Sequence, residues 1–442
     1  LTSFLDLGVP ARLNDVLTSF DITTPTPIQA ATLPDALAGR DVLGRGRTGS
    51  GKTLAFLLPL VARLNGGPKA RPGAPRALIL APTRELAGQI DAALAPLAHT
   101  ARLTSVAVYG GVRATPQIAA LRRGVDIVVA CPGRLEDLIA QRACSLSAVE
   151  LTVLDEADHM ADLGFLPAVR RLLEATPAGG QRLLFSATLD AAVDGLVRRY
   201  LTDPAVHSVD PAEAVATSTV SHDVLHLDRR DRLPVLVSLL SGPGRSVVFT
   251  RTKRGAKNLA AQLSKAGVDA VELHGNLAQN ARTRNLDAFH AGRANVLVAT
   301  DIAARGIHVD EVRLVVHADP PGDHKAYLHR SGRTARAGHS GTVVTLMTTD
   351  QIREVQLLTR AAGITARTTR VERLDHPVLT ELGDGVAPPQ ALAERKPRAE
   401  VVEPARRAVP RARRPATPGR PRRAAATTAR PHSAAAFSAG RR

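Results

Sequence analysis

One octapeptide limits the folds open to this chain more than any other stretch: residues 46–53, GRTGSGKT. It follows the short apolar pair Val42 and Leu43 and runs into the leucine-rich segment 54–60. A strand, a glycine loop ending in Lys-Thr and a helix, in that order, turn consecutive backbone N–H groups inward at phosphate oxygens. Glycines allow the close wrap, and the helix N-terminus adds the positive end of its dipole. Lys52 can reach terminal phosphates, and the Thr53 hydroxyl can sit on a magnesium ion. The segment reads as a nucleotide site.

A length of 442 residues suggests two or three domains, each able to bury a core. Hydrophobic content of 44% and charged content of 22% are those of an ordinary globular protein. Cys131 and Cys144 are too few for a disulfide framework, and no Cys/His spacing suggests zinc. Aromatic content of 2%, with no Trp, argues against base-stacking platforms. The longest apolar stretch, 54–60, falls far short of a membrane span, and no charged-then-apolar leader opens the chain. A first residue of Leu rather than Met fits a trimmed N-terminus, and the expected location is cytoplasmic. Of the net charge of +17, residues 395–442 carry +12, from fourteen Lys/Arg against Glu400 and Glu403. That concentration signals a polyanionic partner rather than a fold.

Residues 41–209 alternate strand-like apolar runs (77–80, 105–108, 126–130, 151–154, 182–185) with helical spacing such as Leu86, Ile90, Ala93, Leu94 and Leu97. This is the pattern of a parallel sheet flanked by helices. A polar, small-residue stretch, 208–221, reads as a linker. A second alternation follows, with strands at 246–249, 269–273, 295–299, 313–316 and 342–346. From about residue 374, Ala, Pro and Arg dominate, and 374–442 reads as a disordered basic tail. The domains expected are 1–207 and 222–373.

The run 151–158, LTVLDEAD, ends an apolar strand in acids, as a magnesium-nucleotide site requires some hundred residues after its phosphate loop. Asp155 would hold the metal and Glu156 would orient or deprotonate the attacking water. PTRELA (82–87) and SAT (186–188) also follow strands, at the carboxyl edge where open α/β sheets bind ligands. Ser186 and Thr188 could relay nucleotide state through their hydroxyls. In HRSGRTAR (329–336), Arg330, Arg333 and Arg336 recur every third residue, roughly on one side of a helical turn. Guanidinium groups of this kind stabilise a phosphoryl group in transfer. ATDIAARG (299–306) lies at a strand end able to face the same cleft.

The order PTPIQ, GSGKT, PTRELA, GG, PGR, DEAD, SAT, TDIAARG, HRSGRTAR resembles that of the DEAD-box ATP-dependent RNA helicases, over about residues 4–371. The resemblance implies two tandem RecA-like domains that hydrolyse ATP with magnesium and close on RNA. It implies cofactor contacts from Phe4, which would pack on the base, and Gln29, which would read the adenine edge. Arg47, Thr48, Gly49, Ser50, Gly51, Lys52, Thr53, Asp301 and Gly306 complete that set, with Thr53 and Asp155 at the metal. Lys52, Asp155, Glu156, Arg333 and Arg336 would be catalytic, the two arginines as fingers from the second domain. Pro82, Thr83, Arg84, Gly110, Gly111, Pro132, Gly133, Arg134, Gln279, Arg282 and Thr300 would contact the RNA backbone, with little sequence preference. Ser186 and Thr188 would couple the two events.

Departures from the family pattern fall at Gly46, at Asp21 and Ile22, at Cys131 in place of Thr, and at His308 in place of Asp. The His308 change removes a carboxylate and predicts weaker ATP affinity or domain coupling. The expected activity is local strand separation of short RNA duplexes, in RNA remodelling, ribosome assembly or RNA decay, with proteins of those assemblies as partners and the tail as an RNA tether. Rivals are a translocating DNA-directed helicase and a non-catalytic RNA scaffold; intact Lys52, Glu156, Arg333 and Arg336 argue against the scaffold. Arginine greatly outnumbers lysine, which occurs seven times, as in a GC-rich bacterial genome, so the bacterial type of the family is expected.

Overall fold

Short runs of consecutive apolar residues become strands buried on both faces, because a parallel sheet covered by helices on each side presents no face to water. A computed structural model describes residues 2–46, 49–209, 220–304, 312–335 and 340–384. The first sheet comprises β1 (Val42–Arg45), β2 (Ala77–Leu80), β3 (Ser105–Val108), β4 (Ile127–Ala130), β5 (Leu151–Leu154), β6 (Gln181–Ser186) and β7 (Ala205–Ser208). Its strand order is β3-β4-β2-β5-β6-β1-β7, with every pairing parallel. The second sheet comprises β8 (Val220–His226), β9 (Arg245–Phe249), β10 (Ala270–Leu273), β11 (Val296–Ala299), β12 (Val312–His317), β13 (Gly341–Met347) and β14 (Arg367–Arg370). It repeats the plan as β10-β11-β9-β12-β13-β8-β14, again all parallel. These are the two tandem RecA-like domains.

Strand side chains alternate between two apolar layers, as a period of two requires. In β2, Ile79 joins Phe56, Leu57 and Leu94 on one face, while Leu78 and Leu80 join Leu135, Leu138 and Leu172 on the other. In β9, Val248 packs with Leu236 and Leu263, while Val247 and Phe249 pack with Phe289 and Tyr327. Gly44 permits a close approach in the first sheet: a Cβ there would lie 2.4 Å from Phe185 Cε1.

The ten strands expected beyond β1 form within a residue or two of their predicted limits. The linker ends do not lie where composition placed them. His207 and Ser208 finish β7, and Val220 and Ser221 begin β8, an inner strand of the second sheet. Residues 210–219 lie outside the described residues. The second domain also runs further than residue 373. Helix Pro377–Leu382 buries Val378, Leu379 and Leu382 in the same layer as Leu236 and Leu240. Six residues are too few for periodicity to show, and the helix starts at a proline, which reads equally well as the start of a tail. The tail from residue 385 lies outside the described residues. Among the described residues no helix is long and apolar enough to cross a membrane.

Candidate functional site

The strand order sorts the predicted residues into two groups along the carboxyl edge of the first sheet. At the ends of the neighbours β1, β6 and β5 stand the glycine loop, Ser186 and the acidic pair. Gly49 and Gly51 hold φ of +84° and +92°, a conformation that favours glycine, and Gly51 caps helix Lys52–Leu64. A Cβ on Gly51 would meet the Gln29 side-chain nitrogen at 2.6 Å. Lys52 and Thr53 open that helix, and the buried Lys52 Nζ donates to the Gly46 carbonyl at 2.7 Å. Ser50 Oγ is screened from solvent with no hydrogen-bond partner among the described residues, as suits a hydroxyl lining an anion cradle. Arg47 and Thr48 lie outside the described residues.

Gln29 is almost wholly buried, its amide bracing the loop: Nε2 donates to Gly51 O at 2.8 Å, and Oε1 accepts from Thr26 N at 2.9 Å. Phe4 is 0% exposed within the apolar core, so no face of its ring is open to a base. Burial rather than stacking is what the structure gives this residue.

Asp155 and Glu156 are buried side by side at the end of β5. Burial, with Glu156 and Asp158 nearby, pushes the Asp155 carboxyl up to about 7, against the opposing pull of Lys52. Burial acts the same way on Glu156, but the bond from His159 and the charges of His159, Arg333 and Lys52 outweigh it, leaving that carboxyl at about 2. His159 Nδ1 lies 3.1 Å from Glu156 Oε2. Glu156 adopts φ +50°, a left-handed conformation costing about 1–3 kcal/mol in a non-glycine residue, which sharply redirects the chain after β5. The next acid, Asp158, ties the two turns together. Its Oδ2 accepts from both the backbone N and Oγ1 of Thr188 at 2.9 Å, and its N donates to Ser186 Oγ at 3.3 Å. Ser186 Oγ in turn donates to Thr188 O at 2.7 Å.

The second group stands at the ends of β2, β3 and β4, the other half of the same edge. Pro82 and Thr83 follow β2, with Thr83 capping helix Arg84–Thr100. Gly110 and Gly111 follow β3, and Pro132 starts helix Pro132–Ala140 after β4, carrying Gly133 and Arg134. Arg84 and Arg134 both lie beside Gly110, and a Cβ on Gly111 (φ +80°) would collide with the Arg84 guanidinium. Arg134 Nη1 donates to Val112 O at 3.3 Å.

The second domain divides likewise. Gln279 and Arg282 lie on the helix after β10, and Thr300 follows β11. Gln279 and Arg282 reach the first domain rather than open surface. Gln279 Oε1 accepts from Arg84 Nη1 at 3.3 Å, its Nε2 donates to Glu85 at 3.0 Å, and Arg282 Nε donates to Glu85 at 2.8 Å. Arg330 and Arg333 are engaged differently. Arg330 turns inward, donating to both carboxylate oxygens of Asp301 at 2.5 and 2.8 Å and stacking over Phe249. Asp301 is thereby engaged within its own domain. Arg333 follows the end of helix His324–Ser331 and is buried close enough to Glu156 to lower its pKa across the domain boundary. Gly306, His308 and Arg336 lie outside the described residues.

Sequence reasoning missed four contributors. Asp158 and His159 adjoin the recognised acids, and the Glu156 to His159 spacing of three was the available signal for the latter. Glu85, inside PTRELA, and Asp190 had no signal for their partners, Arg282 and Lys325, which lie in the other domain.

No group of three or more His, Cys, Asp or Glu side chains able to hold a metal occurs among the described residues. Magnesium fits all the same: it keeps waters and phosphate oxygens and asks one or two ligands of the protein, here Thr53 and Asp155. A carboxyl held up near 7 by burial and two acidic neighbours suits a nearby cation.

Two family models match the chain: DEAD/DEAH box helicase over residues 26–196 and helicase conserved C-terminal domain over residues 229–338. DEAD-box ATP-dependent RNA helicase 53 of Oryza sativa subsp. japonica is 40% identical over 81% of this chain and 60% of its own length. DEAD-box ATP-dependent RNA helicase 5 of the same plant is 40% identical over 79% of this chain and 69% of its own. The chain spans about half to two thirds of the length of such curated relatives. Dbp5 of S. cerevisiae bound to RNA and ADP BeF3 superposes with a TM-score of 0.75 at 27% identity, covering 86% of this chain and all of that one. Mss116 bound to ssRNA and UDP-BeF gives 0.74 at 26% identity, covering 89% of this chain and 84% of that one. The plant relatives give no support to the bacterial type expected from composition. The motifs, the paired sheets and these relatives agree, and the chain belongs to the DEAD-box ATP-dependent RNA helicase family.

Proposed function

We propose that this chain is an RNA-dependent ATPase that closes its two domains around ATP and RNA and separates short duplexes locally. The observation that carries this proposal is that the two domains meet through side chains at their carboxyl edges, Arg282 on Glu85 at 2.8 Å and Lys325 on Asp190 at 2.9 Å, with the charge of Arg333 felt at Glu156. A hydrolytic site completed across a domain boundary works only when the domains meet, which makes turnover conditional on what draws them together.

Gln29 would present its amide to the adenine edge on leaving Thr26 and Gly51. The loop amides and Lys52 would hold the phosphates, Lys52 exchanging the Gly46 carbonyl for a phosphate oxygen. Magnesium, when bound, would neutralise phosphate charge, with Thr53 and Asp155 as its protein ligands. Glu156, kept ionised by His159, would orient the attacking water and accept its proton, while Arg333 and Arg336 would stabilise charge on the phosphoryl group. Asp158 would convey the state of this site to Thr188 and Ser186. RNA would run along the other half of the edge, over Pro82–Arg84, Gly110, Gly111 and Pro132–Arg134, with Gln279 and Thr300 facing from the second domain. The strands support a first domain through residue 209 and a second over 220–384, with the basic tail beyond as a salt-sensitive RNA tether. Cytoplasmic RNA remodelling, ribosome assembly or RNA decay is the setting proposed.

RNA-stimulated ATP hydrolysis by the wild type and by Glu156→Gln tests this. The wild type should respond to RNA, and the variant should bind ATP and RNA without turning over. A variant as fast as the wild type, or a wild type indifferent to RNA, would contradict the proposal. Equal stimulation by DNA would favour the translocating rival.

A further inference from the structure

Asp190 stands two residues beyond Thr188 and uses its two oxygens differently. Oδ1 accepts from the backbone N of Ala192 and Val193 at 3.1 Å, capping helix Ala191–Tyr200. Oδ2 accepts from Lys325 Nζ of the second domain at 2.9 Å. Lys325 lies in the first turn of helix His324–Ser331, which ends two residues before Arg333. Its ammonium also lies in the field of Asp162 and of Asp158, the acid bonded to Thr188. One carboxylate therefore joins the turn that senses the acidic pair to the helix that delivers the arginine. Two exposed apolar residues lie near the pair in sequence. Leu189 precedes Asp190 and is 39% exposed, and Leu328, one helical turn after Lys325 and so on its face, is 45% exposed.

We propose that Lys325 and Asp190 form a positioning pair that sets the angle of helix His324–Ser331 against the first domain, and with it the placement of Arg333 at Glu156. The pair touches no reacting atom. It deepens the proposed RNA-dependent ATPase and rests on it. The groups are partly exposed, so the pair contributes through placement more than through binding energy. Its effect belongs in kcat and in salt dependence, because a salt-screened contact at the boundary leaves the loop and the RNA edge intact.

The test is RNA-stimulated ATPase kinetics of the full chain with Lys325→Gln, Lys325→Glu, Lys325→Arg, Asp190→Asn, and Lys325→Glu combined with Asp190→Asn. Asparagine keeps the Oδ1 cap while removing the charge. Lys325→Gln and Asp190→Asn should each lower kcat about twofold to fivefold with KM for ATP nearly unchanged, the range expected of an exposed ion pair. Lys325→Glu should lower it further through repulsion, Asp190→Asn in that background should recover part of the loss, and Lys325→Arg should retain most activity. The deficits should shrink as salt rises. A wild type stimulated by RNA with all five variants equal to it would overturn the pairing and leave the proposed function standing. Equal additive losses without recovery in the double variant would also overturn it. A wild type without RNA stimulation would instead indict the function beneath it.

Discussion

Glu85 and Arg282, 197 positions apart, meet in a two-pronged ion pair: Arg282 Nε donates to Oε1 at 2.8 Å, and Nη2 lies 2.7 Å from Oε2. Their side chains are 5% and 9% exposed, and Arg282 Nη1 also reaches the His274 carbonyl at 3.2 Å. The pair clamps the first domain, just beyond β2, to the second, as the field of Arg333 reaches Glu156 beyond β5.

Removing one partner of a buried ion pair strands the other, at a cost of about 3–5 kcal/mol. Here separation of the domains can relieve that cost by rehydrating Glu85. Arg282→Ala should therefore open the domains rather than unfold either one. Small-angle scattering should show a larger radius of gyration with helical content unchanged; an unchanged radius would contradict the clamp.

Gly44 lies under Phe185, where a Cβ would sit 2.4 Å from the ring. Gly44→Ala forces the ring or β1 to move, and overpacking of this kind costs about 1–3 kcal/mol. A lowered melting temperature is expected; an unchanged one would show that Phe185 has room to move.

Burial pushes the Cys131 thiol up to about 12 and the Cys144 thiol up to about 11. Neither should react with iodoacetamide at pH 8 while the chain is folded, and both should react in denaturant. Rapid native alkylation would contradict their placement.

His317 is sealed between Phe249, Tyr327 and Thr345, and burial, with Arg330 and His222 nearby, holds its pKa well below 6.5. A depressed folded pKa means that the unfolded chain binds more protons below about 6.5, so stability rises with pH there and is lost as pH falls. Between pH 7.5 and 5.5 the second domain should lose about 1.4 kcal/mol from this group, by the linkage relation. Denaturation by urea at both pH values measures it, and His317→Phe should flatten the dependence.

Much of this architecture was legible because its signals are local. Strand runs buried on both faces need no partner to be recognised, and the glycine loop and LDEAD carry their own spacing. What escaped depends on contacts between distant segments. β8 carries Ser221, His222 and Asp223 among its apolar residues, and Asp223 is buried only because Arg367 of β14 pairs with it at 2.6 Å. β14 itself, RTTR, is polar because it is an edge strand. The regular spacing of Arg330, Arg333 and Arg336 suggested one shared face, yet Asp301 draws Arg330 inward and the helix stops at Ser331. Phe4 looked like a base platform in sequence, but the core buries it.

If one hydrolytic site is made from two domains, replacing Arg333 should disable it. RNA-stimulated single-turnover hydrolysis should be measured for Arg333→Ala beside ATP binding to the same variant. Hydrolysis should fall about a thousandfold or more, the scale set by arginine fingers elsewhere, with ATP affinity changed only a few-fold. Hydrolysis at the wild-type rate would contradict it.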